Sequence, residues 1–267
     1  MQKAFTHGGQ FHADDVFSAA LLKILWPDIK IIRGNKVPDN FDGLIFDIGL
    51  GKFDHHQKNN ECRPNGVPYA SFGKLWREFG LKIVSKNAFL KIDKCLCSPI
   101  DYADNTGKFD TLTMAIKSMN SPWFSNSNNY SEFIKAVNIA KELLLATIKK
   151  VENDEKAEIL LESNILVDNN GIIILQKYVP WKKLIGTDAK FVIYPSNRGG
   201  YNAQIVADIN HPATWGFPPE WYGLTKEELV EVSGIKELNF CHISGFVVNG
   251  STLDSVINAC NLAINFT

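Results

Sequence analysis

Hydrophobic positions change their spacing along the chain, and each change marks an element. Lys3 to Thr6 reads as a short strand, closed by the tight turn His7-Gly8-Gly9-Gln10. From His12 onward Val16, Phe17, Ala19, Ala20, Leu21, Ile24 and Leu25 recur at helical spacing until Pro27 ends the pattern. Ile29 to Ile32 and Leu44 to Phe46 are apolar runs of strand length. Strand, helix, strand, strand at this spacing predicts a parallel sheet with covering helices. Past the turn cluster Pro64-Asn-Gly-Val-Pro68, helices are predicted over 69–79, 85–102 and 112–119, then a polar loop over 121–129. A sustained helical pattern from Tyr130 to Leu161 is of the length that bridges two domains. Asp168-Asn-Asn-Gly171 is a linker or turn signal. Beyond it the texture shifts to short strands over 172–176, 191–194, 201–207 and 240–248. Helices are predicted over 225–232 and 251–264, the latter opening on a capping pair of Ser251 and Asp254. The pattern predicts an α/β fold, with a larger domain over 1–163 and a smaller α+β C-terminal domain over 164–267.

Composition narrows the class without deciding the chemistry. The 267 residues suffice for one large domain or two smaller ones, and 45% hydrophobic with 21% charged residues is ordinary for a globular chain. A net charge of −1 supplies no global basic field for nucleic acid, although a local groove or bound metals can. The five cysteines are odd in number, and Cys95 and Cys97 lack zinc-knuckle spacing, so reduced thiols are expected. No signal-peptide progression and no apolar run of membrane-spanning length is read, and the expected location is the cytoplasm.

The chemistry gathers around Asp47. A carboxylate closing a buried strand sits where α/β folds place their ligand crevice, and Asp54, His55 and His56 follow within a few residues. Adjacent histidines in extended backbone point to opposite sides, so one can ligate a metal while the other faces a phosphate. Four of the six histidines precede residue 57, far more than an even spread would place there. Asp14 and Asp15 have a second explanation as first-turn acids favoured by the helix dipole. Asp101 and Asp104, one turn apart, read equally well as a solvated helix end. Collected, His7, His12, Asp14, Asp47, Asp54, His55, His56 and Asp104 form an imidazole and carboxylate set without thiolate, suited to Mn²⁺ first, Mg²⁺ second and Zn²⁺ less. They are too many for one ion. Two divalent cations roughly 3.5–4 Å apart would use them all, with Asp47 as the bridge, and such a pair activates water and clamps the oxygens of an in-line phosphoryl displacement.

These segments resemble a known family. His7-Gly-Gly-Gln-Phe-His12-Ala-Asp14-Asp15, Phe46-Asp47-Ile-Gly49, Phe53-Asp54-His55-His56-Gln57 and Asp101-Tyr-Ala-Asp104-Asn105, in that order, look like the DHH phosphoesterase superfamily. Within it the likeness is to the melanocyte-proliferating-gene (MYG) family of metal-dependent hydrolases. It continues through Asn65 to Ser71, Val179-Pro-Trp-Lys182, Phe191 to Tyr194, Pro219-Glu-Trp221 and Phe240-Cys-His242, and so spans nearly the whole chain. The resemblance implies a Rossmann-like N-terminal domain, a smaller C-terminal substrate-binding domain and a dimetal cleft. One ion would take His7, His12 and Asp47, and the other Asp14, Asp47, His55 and Asp104. His56 would contact the scissile phosphate, and Asp54 would orient an imidazole. The implied activity is a phosphodiesterase, a 3′-to-5′ exonuclease on RNA or single-stranded DNA. The alternative is a small-molecule phosphohydrolase acting on pyrophosphate or a nucleotide bisphosphate.

The C-terminal part departs from the family pattern at Val247 to Thr252, where a Gly-Gly-His stretch and a basic residue are expected. Arg63, Lys182, Lys183, Arg198 and His242 are candidates for holding substrate, and each of the basic four also reads as plain surface charge. Trp181, Trp215, Trp221 and Tyr222 could stack bases, with packing the expected role for at least two of them. Oligomeric state is not encoded in any pattern seen here.

Overall fold

The computed structural model describes residues 2–58, 60–122 and 129–266, with backbone alone at 167–169; most of the loop expected over 121–129 lies outside the described residues. Two compact units divide the chain, Met1–Glu152 and Asn153–Thr267.

The first unit is built on a three-stranded parallel sheet. Its strands are β1 (Lys3–His7), β2 (Lys30–Gly34) and β3 (Leu44–Ile45), in the order β2-β1-β3. Helix α1 (Ala13–Leu25) makes the crossover from β1 to β2 and buries Val16, Phe17, Ala19, Ala20, Leu21 and Leu22. Helix α2 (Ser71–Phe79) packs Phe72, Leu75 and Trp76 into the same core, all fully buried. The segment read as one helix over 85–102 is two helices, α3 (Lys86–Ile92) and α4 (Ser98–Thr106), joined by one wide turn over Asp93–Cys97. That turn is a π-bulge, the kind of insertion that re-aims a helix near a functional site. Helix α5 (Thr111–Lys117) follows, and then α6 (Tyr130–Asn164), within which the division between the units falls. Up to Val151, α6 buries Phe133, Val137, Ala140, Leu144 and Ile148 in the first core.

The second unit carries a mixed six-stranded sheet in the order β4-β5-β6-β7-β9-β8. Its strands are β4 (Ile165–Asn169), β5 (Ile172–Leu175), β6 (Phe191–Pro195), β7 (Tyr201–Ile205), β8 (Leu238–Cys241) and β9 (Val247–Gly250). The predicted linker signal at 168–171 is the tip of the β4–β5 hairpin. Asn170 and Gly171 both take positive φ (54° and 79°), the geometry of a tight two-residue turn. The single strand expected over 240–248 is two antiparallel strands, because the chain reverses where Gly245 N–H donates to the His242 carbonyl at 2.8 Å. Helix α7 (Lys226–Ser233) and helix α8 (Leu253–Asn265) contribute Leu229, Val256, Ala259 and Cys260 to a core under one sheet face. The cap of α8 is Thr252 rather than Ser251; its hydroxyl accepts from Ser255 N–H at 3.3 Å. Trp181 and Trp221 are buried packing residues.

One contact ties the first unit together. The N-terminus of α2 has no side-chain cap of its own. Its Ser71 and Phe72 N–H groups donate to Asp14 of α1 (3.0 and 2.7 Å), and Gly73 N–H donates to Asp101 of α4 at 3.1 Å. Two distant carboxylates thus satisfy three of the orphan donors of a helix start. Gly73 is required there, since a Cβ would lie 1.8 Å from Asp101 Oδ2 and 2.6 Å from Arg63 Nη2. Gly73→Ala is expected to destabilise the protein by about 3 kcal/mol through overpacking. A fall in the urea midpoint at unchanged slope would measure it.

Candidate metal centre

The carboxyl ends of β1 and β3 set the two rigid walls of the site. His7 is the last residue of β1, and Asp47 follows β3 by two residues, held by its N–H to the Phe53 carbonyl at 3.0 Å. Asp47 stands at φ 56°, in the left-handed region that Asp tolerates better than most residues. Because the strands are parallel and adjacent, both side chains emerge at one edge. His7 Nε2 lies 3.3 Å from Asp47 Oδ2.

The N-terminus of α1 supplies the next layer. Asp14 and Asp15 are fully buried. Asp14 caps α2 as described. Asp15 Oδ1 accepts from the His12 backbone N–H at 2.8 Å, while its Oδ2 makes no hydrogen bond and lies 3.3 Å from His7 Nε2 and 3.5 Å from Arg33 Nη2. Arg33 sits under Phe133, its guanidinium 4.4 Å from the ring centroid.

The Asp54-His55-His56 segment closes the front. His55 Nδ1 is 3.4 Å from Asp47 Oδ1 and 3.7 Å from Asp14 Oδ2, and its Nε2 is 3.1 Å from Asp104 Oδ2 on α4. Ser71 Oγ donates to Asp47 Oδ1 at 3.3 Å. Asp54 accepts from Leu50 N–H (2.7 Å) and His56 N–H (3.1 Å), and also lies 2.7 Å from His56 Nδ1. The two imidazoles do not point to opposite sides as extended backbone would have them. Their rings stack with centroids 4.2 Å apart, because Asp54 folds the chain back on itself and draws His56 over its neighbour.

Burial sets the protonation behaviour. Asp14 is pushed well above the carboxylate range, first by its loss of solvent and then by the charges of Asp47 and Asp104. Asp15 rises to about 7, burial outweighing the attraction of His7 and Arg33. For His7 burial works downward, but the hydrogen bond to Asp47 and the charges of Asp15 and Asp47 win and raise it to about 9. His55 is raised against its burial by Asp104 and Asp47. Burial opposes ionisation of Asp54 too, yet the bonds from His56 and Leu50 hold its carboxyl below the usual range.

Three overlapping groups could each hold a metal ion: His7, Asp15 and Asp47; Asp14, His55 and Asp104; and Asp47, Asp54, His55 and His56. Within each, one ligand atom per residue lies within 4.8 Å of the others. The donor set is oxygen and imidazole nitrogen, which suits hard and borderline divalent cations. The unsatisfied buried Oδ2 of Asp15 fits such a site, since an unpaired buried carboxylate oxygen is costly.

Asp15 was accounted for by the sequence as a helix-dipole acid, and its place in a candidate ligand group beside its capping bond shows only in three dimensions. His12 lies beside His7, the ring centroids 5.9 Å apart, and its half-exposed ring also places Nδ1 3.8 Å from Asp104 Oδ1. Arg63 is turned inward and is not free for phosphate. Its Nε and Nη2 donate to Asp93 (2.9 and 2.7 Å), and Nη1 lies 2.7 Å from Asp101, so it anchors the acid that bonds Gly73. Lys182, Arg198 and His242 belong to the second unit. Lys182 and Arg198 are exposed, and His242 accepts from Ser244 N–H through Nδ1 at 3.0 Å with its ring against Phe246.

The family model named MYG1 exonuclease and described as Uncharacterised protein family (UPF0160) matches residues 3–264. The chain belongs to the MYG1 exonuclease family. A MYG1 protein of Dictyostelium discoideum is 24% identical, covering 94% of this chain and 93% of its own. A protein of Bos taurus named MYG1 exonuclease is 24% identical over 95% of this chain and 82% of its own. A MYG1 protein of Chlamydia pneumoniae is 26% identical over 97% and 95%. No solved structure gives a significant match. No helix among the described residues is long and apolar enough to cross a membrane.

Metal ligands bind in their deprotonated forms, and here His7 retains its proton up to about pH 9 and Asp15 to about pH 7 without metal. Cations must displace those protons, so apparent Mn²⁺ affinity is expected to rise from pH 6 to pH 8.5, with proton release on titration calorimetry. At 100 times its dissociation constant Mn²⁺ should add about 2.7 kcal/mol of stability.

Proposed function

We propose that the protein is a divalent-metal-dependent phosphodiesterase of the DHH type, acting as a 3′-to-5′ exonuclease on RNA or single-stranded DNA. The observation that carries the reading is the position of Asp47: one carboxylate oxygen is 3.3 Å from His7 and the other 3.4 Å from His55, with carboxylates from α1 and α4 beyond each. A strand-end carboxylate between two ligand groups suits a bridge between two cations, Mn²⁺ first and Mg²⁺ second. The relatives named exonucleases supply the reaction class. The parallel sheet with its crossover helix supports a Rossmann-like reading of residues 1–163, with 164–267 as the substrate-binding part.

When bound, the cations supply Lewis acidity and an activated water for in-line displacement at phosphorus. The chain's own residues do the rest. His7, Asp14, Asp15, Asp47, His55 and Asp104 fix the donor atoms, His12 standing at the rim beside Asp104. Ser71 holds Asp47 and restrains its rotation. His56, with its side chain more than half exposed, presents an imidazole towards the scissile phosphate. Asp54 fixes that ring by the 2.7 Å contact to Nδ1, which leaves Nε2 to face a phosphoryl oxygen.

Purified protein with Mn²⁺ is expected to release mononucleotides stepwise from a 5′-labelled oligonucleotide. Asp47→Asn should lower kcat at least about 10²-fold, more than the loss of an outer residue costs. Asp54→Asn should lower it about 10- to 100-fold while Mn²⁺ binding persists. Wild-type turnover in Asp47→Asn removes the mechanism. Faster hydrolysis of pyrophosphate than of any oligonucleotide moves the protein to the small-molecule class.

A further inference from the structure

Two cavities of the first unit meet at the metal centre. One lies over His7, Asp47, Gly49, Leu50 and His56, and the other over Phe109, Asp110, Met114 and Lys117; His12 and Asp104 line both. In the second cavity, of about 270 Å³, the lining residues other than His12 and Asp104 lie outside the candidate ligand groups. Its composition is unusual for a surface beside so many acids. Phe109 is 76% exposed and Met114 56%, both large apolar side chains left in solvent. Such residues form isolated exceptions on most surfaces, but here they share one concavity next to a candidate reaction centre. The charges around them differ from those of the cluster. Lys108 and Lys117 line the same cavity; the Lys108 ammonium donates to the Tyr102 hydroxyl at 2.6 Å, and Lys117 is close enough for its charge to act on His12. The carboxylate of Asp110 is already spent, accepting from Thr113 N–H at 2.8 Å as the cap of α5.

We propose that this cavity is the base-binding subsite of the nuclease, taking the terminal base of a single-stranded nucleic acid on the ring of Phe109 with Met114 beneath it, while Lys117 faces the adjoining phosphate. The inference rests on the exonuclease reading above and names the part of the substrate that the site selects. An apolar shelf with flanking ammonium groups matches a stacked base joined to phosphate, and it offers nothing to inorganic pyrophosphate. The volume is near the low end of small-molecule sites, about 300 Å³, so one nucleoside fits and a duplex end does not. Stacking on Phe109 reads no base edge, so all four bases should be accepted.

The test uses the Mn²⁺-loaded full chain and 5′-fluorescent oligonucleotides that differ only in carrying a normal or an abasic 3′-terminal nucleotide. Binding is read by anisotropy and turnover by product release. The normal end should bind about 5- to 100-fold more tightly than the abasic end, the range for loss of one base–aromatic stack. Phe109→Ala should erase that preference and Phe109→Trp should keep it, both with unchanged Mn²⁺ affinity. Lys117→Ala should weaken both oligonucleotides alike and flatten the salt dependence by about one charge. Hydrolysis by the wild type with equal affinity for the two ends overturns the subsite and leaves the nuclease reading standing. A preference that survives in Phe109→Ala overturns it as well. Absence of metal-dependent cleavage of either oligonucleotide overturns the nuclease reading, and the subsite with it.

Discussion

Five aspartates with almost no solvent exposure, Asp14, Asp15, Asp47, Asp54 and Asp101, share the first unit, and their burial governs how it is built. A buried carboxylate without a partner costs several kcal/mol, so each must find a donor, a counter-charge or a cation. Asp14 and Asp101 find backbone N–H groups of α2. Asp101 also takes Arg63, and Asp54 takes two backbone donors and His56. Asp15 and Asp47 are left facing His7 and His55 at 3.3 to 3.4 Å, with one oxygen of Asp15 unbonded. The charge that the fold does not neutralise for itself is therefore concentrated where the donor groups for metal converge.

The same economy links the site to the core. Asp14 caps α2 with one carboxylate and belongs to a ligand group with the other contacts it makes, so the helix carrying Phe72, Leu75 and Trp76 is registered against the metal centre. Arg63 extends that chain of contacts outward through Asp101 and Asp93, and its guanidinium stacks 4.1 Å over Tyr69. Strand ends hold His7 and Asp47 and a helix start holds Asp14 and Asp15 before any ligand arrives, whereas Asp54, His55 and His56 come from the loop between β3 and α2.

Beside this acidic centre the surface changes character between the end of α4 and α5. Asp104 belongs to the cluster, whereas Phe109 and Met114 are apolar and open and Lys108 and Lys117 are cationic.

The spacing of apolar residues alone carried the parallel β-α-β start, the helices around it and the strand-rich second half, because burial against a sheet imposes periods that survive in one dimension. The clustering of histidines and aspartates before residue 57 likewise pointed to the groups that could hold a metal, since few other chemistries need that mixture. What tertiary structure alone decided is which partners each group keeps. Asp15 faces His7 within a candidate ligand group, and Arg63 is a buried anchor. The β8–β9 reversal and the stacking of His55 on His56 also depend on contacts made by backbone folding back on itself. Residue type limits what a side chain can bind; the partner it does bind is fixed by burial, which brings together groups far apart in the chain and leaves each no solvent to turn to.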